Sequence, residues 1–193
     1  DDIAIWAHVE IKSEFNPRHH VLLRHYRYYL PTENKSSKLS LMRQAAQNLV
    51  GTNSYHYLSK PDSNRTTYAT LLDVSLSKCR DAIVFDVYGT NFLWKQVRKM
   101  VTLLLSIGKG EMIPEKSQEV VQGTWTPPGG IRPASEEGLI LMEVVVNFDF
   151  VPNKRAMNRI RKFLNHRLGF LREAVVTLDG LTSDLRFYQY PFY

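Results

Sequence analysis

The stretch Ala82-Ile-Val-Phe-Asp-Val-Tyr88, followed after Gly89-Thr-Asn91 by Phe92-Leu-Trp-Lys-Gln-Val-Arg-Lys-Met-Val-Thr-Leu-Leu-Leu-Ser-Ile107, changes its period partway. The first part alternates, as a strand does when successive side chains point to opposite faces. In the second, Leu93, Val97, Met100 and Leu104 recur one turn apart, and Lys95, Lys99, Thr102 and Ser106 form an opposing polar stripe. That spacing predicts an amphipathic helix from Phe92 to Ile107. Upstream, Thr67 to Ser77 alternates in the same way, and the charged Lys78-Cys79-Arg80-Asp81 separates the two runs. The pair predicts an antiparallel hairpin that feeds the helix.

Working outward, Ile3 to Ile11 is rich in β-branched and apolar residues, and Tyr26 to Leu30 is aromatic and stopped by Pro31, so both read as strands. Glu33 to Ser40 is a polar loop. Leu39 to Val50 carries helical spacing in Leu41, Ala45, Ala46 and Leu49, with Gly51 where a left-handed cap would end it. A short helix is expected around Glu115 to Gln122, a glycine- and proline-rich loop from Gly123 to Pro133, and a strand from Leu139 to Asn147. Pro152-Asn153 opens a basic helix whose Met157, Ile160, Leu164 and Leu168 mark an apolar face, with Lys154, Arg155, Arg159, Arg161 and Lys162 mostly elsewhere. The aromatic tail Arg186-Phe-Tyr-Gln-Tyr-Pro-Phe-Tyr193 follows. Strands and helices mixed in this way make an α+β architecture.

Composition narrows the function classes. A chain of 193 residues with 44% hydrophobic content buries one sizeable core, or a core and an appendage. With 25 basic against 19 acidic residues the net charge is +6 and the pI about 9.4, which favours polyanionic partners such as nucleic acid, as it does in many unrelated basic proteins. The single cysteine, Cys79, excludes an internal disulfide and a multi-cysteine zinc site, and it fits a reducing, cytoplasmic compartment. No apolar run approaches the roughly 20 residues of a membrane span. His19, His20, His56 and His166 lack metal-ligand spacing and read as surface or core histidines.

Two segments invite a chemical reading. Arg98 sits on the shoulder of the predicted helix, with Trp94 one turn before it and Val101 after it. A guanidinium there either snorkels to water or finds a carboxylate, because an unpaired buried charge costs several kcal/mol. Its partner is a structural acid or, on the functional reading, a carboxylate that the arginine fork holds ionised and oriented. In Arg24-His-Tyr-Arg-Tyr28, Tyr26 and Tyr28 project to one strand face and Tyr29 to the other. These rings pack against helices, or one of them stacks on a nucleobase beside the basic Arg24 and Arg27. Arg24, Arg27, Lys95 and Lys99 are candidate phosphate contacts, while Lys154 to Lys162 reads as a solvated helix face.

These segments resemble the pseudouridine synthase A family. The resemblance is carried by Phe15-Asn-Pro-Arg18 with Arg24-His-Tyr-Arg-Tyr28, by Leu49-Val-Gly51 leading to Ser54-Tyr-His-Tyr57, and by Asn64-Arg65-Thr66. Gly89-Thr-Asn-Phe92, Val97-Arg98-Lys-Met100 and Gly108-Lys-Gly110 are similar to the family's strand-to-helix motif, and Arg132-Pro-Ala-Ser-Glu-Glu-Gly138-Leu-Ile-Leu141 to the segment entering its last core strand. The resemblance implies a mixed, largely antiparallel sheet with packed helices. It also implies isomerisation of uridine to pseudouridine in the anticodon stem-loop region of tRNA, no cofactor and no metal, and a homodimer. By the same resemblance Tyr26 forms the aromatic platform for the target base, and Arg98 pairs with the nucleophilic aspartate.

That aspartate lies in an Arg-x-Asp-x-Gly motif in the family, and none of Asp1, Asp2, Asp62, Asp73, Asp81, Asp86, Asp149, Asp179 or Asp184 occupies one. The expectation is therefore the C-terminal part of the catalytic domain over residues 1–149, without its nucleophile and inactive alone, and an archaeal-type extension over 150–193. Two other classes compete with this reading. One is a non-catalytic RNA-binding module, which Val87-Tyr-Gly-Thr-Asn-Phe92 loosely matches but which leaves the helix carrying Arg98 unexplained. The other is an assembly domain, which predicts no RNA affinity.

Overall fold

The computed structural model describes residues 3–11, 14–31, 37–60 and 66–185. In chain order the elements are β1 (Ala7–His8), β2 (Leu23–Pro31), α1 (Leu39–Gln47), β3 (Gly51–Ser54), β4 (Tyr68–Cys79) and β5 (Ala82–Gly89). Then come α2 (Gln96–Gly108), α3 (Lys116–Gln122), β6 (Leu139–Val145), β7 (Val151–Pro152) and α4 (Lys154–Leu185). They fall into two compact units, Phe15–Asn147 and the pairing of Asp1–Glu14 with Phe148–Tyr193.

In the Phe15–Asn147 unit, five strands form one sheet in the order β3-β4-β5-β2-β6, and every neighbouring pair is antiparallel. The expected hairpin is β4–β5. It closes at Cys79↔Ala82, with Arg80 in the left-handed region at φ 52 in the turn. Alternation then sorts the side chains by face. Leu71, Val74, Leu76, Ile83, Phe85, Val87 and Tyr28 are buried in the core. Met42, Ala45, Ala46 and Leu49 of α1 join them, as do Val97, Met100, Leu103, Leu104 and Ile107 of α2 and Val120 and Val121 of α3.

The 3.6-residue spacing noted in α2 is thus the spacing of its buried stripe, and each fully buried aliphatic side chain contributes ~1.5–3 kcal/mol. Gly108 sets how closely α1 and α2 approach, since a Cβ there would lie 2.6 Å from Met42 Sδ.

Several boundaries depart from the expectation. The strand read over Ile3 to Ile11 reduces to Ala7–His8. Gly51 does not cap α1; the helix ends at Asn48 in αR geometry, and Gly51, at φ 108, opens β3 instead. β3 itself was not anticipated, because Gly51-Thr-Asn-Ser54 carries no apolar alternation. Its pairing with Leu71, Thr70, Ala69 and Tyr68 of β4 defines it.

The expected helix over Phe92 to Ile107 begins four residues late. Lys95 adopts φ 65, and the Gln96 side chain accepts from Leu93 N at 2.8 Å, three residues back along the chain. Trp94 therefore lies off the helix, not one helical turn from Arg98, and is 60% exposed.

In the second unit, β1 pairs antiparallel with β7 through Ala7↔Pro152 and His8↔Val151. Asn153 caps the 32-residue α4, its Oδ1 accepting from Ala156 N at 3.0 Å. Met157, Leu164 and Leu168 on α4 are exposed. The aromatic tail over 186–193 lies outside the described residues. Among those described, no helix is long and apolar enough to cross a membrane.

Candidate active site

β2 runs between β5 and β6, so its two faces have different surroundings. On the face shared with the helices, Tyr28 is buried with its ring edge-on to Phe85 at 6.3 Å. Tyr26 is half-buried, its ring edge-on to Phe92 at 4.8 Å. Phe92 belongs to the Gly89-to-Gln96 connection, so the loop that starts α2 also forms one wall beside Tyr26.

Arg98, in the first turn of α2, is clamped to the segment that leads into β6. Its carbonyl accepts from Ala134 N at 3.1 Å, and its Nε donates to Ala134 O at 2.5 Å. Its Nη2 pairs with Glu136 Oε2 at 2.8 Å; the arginine side chain is 18% exposed and the glutamate 77%. Two residues further, Gly138 lies against Tyr28, and a Cβ there would sit 2.7 Å from Tyr28 Cζ and 2.7 Å from Tyr29 O. The start of α2, the entry to β6 and Tyr28 are thereby brought to one place, while Tyr26 is joined to it through β2 and faces Phe92.

Burial pushes the Tyr28 phenol up, Arg98's positive charge pulls against that rise, and Glu137 adds to it, so the net shift is upward. The phenol stays a neutral donor beside a guanidinium held from one side by a carbonyl and an open carboxylate. Such a group can take a further carboxylate through a bidentate contact.

The opposite face of β2 carries a polar cluster. Asp86 Oδ1 accepts from Arg27 Nε at 2.7 Å and lies 2.5 Å from His25 Nε2, while the His25 ring stacks on Tyr88 at 4.1 Å. Burial alone would raise the Asp86 carboxyl, but the bonds from Arg27 and His25 outweigh it and hold it below the usual carboxylate range. The bond to Asp86, and then one to Tyr29, raise the Arg27 guanidinium.

The four basic candidates therefore occupy different places. Arg27 lies on the face away from Tyr26 and Arg98. Arg24 donates to Thr90 O at 3.1 Å and Pro17 O at 2.8 Å, tying two connections to the end of β2. Lys99 donates to Tyr57 O at 3.1 Å and Ser59 O at 2.8 Å, and burial, helped by the charge of Lys95, lowers its ammonium from the usual range. Lys95 leaves the α2 start with its Nζ 5.6 Å from the Trp94 ring centroid.

Sequence reasoning missed Glu136 and Gly138 as partners of this site. Both stand in the quoted Arg132-to-Leu141 segment, and Gly138 could have been singled out as the residue that lets backbone approach a ring.

A family model described as tRNA pseudouridine synthase matches residues 45–149, just over half of the chain and including α2 and β6. The tRNA pseudouridine synthase A of Methanosarcina mazei is 35% identical over 147 residues, covering 74% of this chain and 52% of that protein. That of Methanocorpusculum labreanum is 30% identical over 185 residues, covering 95% and 63%. That of Pyrococcus furiosus is 26% identical over 185 residues, covering 95% and 67%. The chain thus spans between about half and two thirds of the length of these curated relatives.

Proposed function

The chain belongs to the tRNA pseudouridine synthase family, and from that premise we propose that it forms the pocket half of an enzyme that isomerises uridine to pseudouridine in the anticodon stem-loop region of tRNA. The reaction breaks the bond from ribose C1′ to the uracil nitrogen, turns the base and rejoins it through carbon. It calls for a nucleophilic carboxylate, a platform for an unstacked base and removal of a proton from that carbon.

Arg98 is the observation that carries this reading. Its backbone and Nε are fixed by Ala134, while its outer nitrogen meets only an exposed carboxylate among the described residues. Fixed in this way, the guanidinium orients the nucleophilic aspartate and keeps it ionised.

Tyr26 offers its ring to the uracil after the base has left the stack, a step costing a few kcal/mol that stacking partly offsets. Tyr26 is also proposed to assist removal of the late proton. Tyr28, buried and neutral beneath it, holds Gly138 and the β6 entry in place. Arg24, Arg27, Lys95 and Lys99 are proposed to add positive potential for the tRNA backbone, with Lys95 the best placed for direct contact.

None of the nine aspartates occupies an Arg-x-Asp-x-Gly motif. The nucleophile is therefore proposed to come from polypeptide outside these 193 residues, in a cytoplasmic homodimer. The test is an assay of the purified 193-residue chain and of the whole enzyme that carries it, on a tRNA transcript. Pseudouridine formed by the whole enzyme and none by the chain alone is expected. Turnover by the chain alone would overturn the assignment of the nucleophile. RNA binding with no turnover by either would point to a non-catalytic module.

A further inference from the structure

The connection between β5 and α2 spends conformational energy to expose an aromatic ring. Lys95, not glycine, holds the left-handed conformation at φ 65, where a Cβ is disfavoured. Trp94, just before it, lies off the helix and is 60% exposed. An indole on the surface forfeits much of the apolar burial that a tryptophan normally contributes.

The backbone that carries the ring is held. Lys60 N donates to Trp94 O at 2.8 Å, and Lys99 of α2 donates to Tyr57 O and Ser59 O, which ties the segment leading to Lys60 onto the helix. Two ammonium groups flank the ring, Lys60 Nζ at 4.2 Å and Lys95 Nζ at 5.6 Å from its centroid. Two residues before Trp94, on the same connection, Phe92 packs against Tyr26.

An exposed ring on a held backbone, flanked by cations, has the composition of a single-strand RNA platform. The π-face accepts any base, and the ammonium groups meet the phosphates on either side of it. Cation–π pairing also keeps the lysines near the ring when no RNA is bound. We propose that Trp94, bracketed by Lys60 and Lys95, is a stacking platform for an unpaired RNA base neighbouring the one presented to Tyr26. This rests on the function proposed above in naming RNA as the ligand, and it adds a second base-binding position that neither Tyr26 nor Arg98 supplies.

The experiment measures tRNA affinity and single-turnover pseudouridine formation at saturating tRNA, in the whole enzyme, for Trp94→Ala and Trp94→Phe. A short oligouridylate serves as a second probe. Trp94→Ala is expected to weaken binding of both RNAs about tenfold, a loss equivalent to ~1.4 kcal/mol, with the saturated rate preserved. Trp94→Phe is expected to restore most of the affinity. Neutralising Lys60 and Lys95 together should lower the salt slope of binding by roughly 1.5, at about 0.7–0.9 per phosphate contact.

Unchanged affinity in Trp94→Ala overturns the inference, while wild-type turnover would leave the proposed function standing. Conversely, Trp94-dependent RNA binding by a protein that forms no pseudouridine supports the platform and overturns that function. Equal loss in Trp94→Ala and Trp94→Phe would contradict stacking, because phenylalanine keeps a π-face.

Discussion

Arg98 and Glu136 form a 2.8 Å ion pair in which the guanidinium is mostly buried and the carboxylate open to water. An ion pair with one solvated partner contributes little, of order 0–1 kcal/mol. Glu136→Gln should therefore change the unfolding free energy by less than about 1 kcal/mol in urea denaturation. On the proposed function a second carboxylate must take the same guanidinium, so Glu136 competes for it. Pseudouridine formation by Glu136→Gln in the whole enzyme is expected to equal or exceed wild type. A tenfold fall would show that Glu136 serves the reaction directly.

Gly138 meets Tyr28 and the Tyr29 carbonyl at distances no Cβ tolerates. Because one of the obstructing atoms is backbone, Gly138→Ala should force the β6 entry away from β2 and cost about 1–3 kcal/mol in chemical denaturation. A neutral result would mean that the entry segment yields freely, and the clamp between Arg98 and Ala134 would then fix less than its geometry indicates.

Lys95→Gly separates stability from RNA binding. Glycine takes φ 65 without penalty, so the substitution is expected to stabilise the fold by a few tenths to about 1 kcal/mol, offset in part by the greater freedom of the unfolded chain. tRNA affinity should fall at the same time, because one ammonium is lost. A thermal melt and a binding titration on the same preparation check both signs, and a gain in affinity would contradict the proposed contact.

The Asp86 carboxyl is held below its ordinary value of 3.8 in the folded state. A depressed carboxyl contributes stability that is present above the unfolded pKa and is lost as pH falls through the folded one. Asp86→Asn should thus be less stable than wild type near neutrality, with the gap closing only below about pH 4. A gap that had already closed above pH 5 would contradict a depressed Asp86 carboxyl.

Much of this structure was legible in the residues. Alternation in Ala82 to Tyr88 and one-turn spacing in α2 are direct images of burial, and the common face of Tyr26 and Tyr28 follows from strand geometry alone. β3 was not legible, since Gly51-Thr-Asn-Ser54 becomes a strand only by pairing with β4. Nor was the late start of α2. The left-handed turn at Lys95 accompanies the Gln96 reach-back and the tie between Lys60 and Trp94, which are contacts across the chain, not propensities of the segment.

At the site, the choice between a structural and a catalytic acid for Arg98 stayed open in the sequence. The structure supplies Glu136 as a partner and leaves that partner exposed.

The most direct test is Arg98→Gln in the whole enzyme, read out as single-turnover pseudouridine formation alongside tRNA affinity. If the guanidinium orients the nucleophile, the rate should fall by about a hundredfold or more, as when a preorganised charge is removed from other active sites, with affinity nearly unchanged. Rate and affinity falling together would contradict that role and make Arg98 a structural support of the RNA-binding surface.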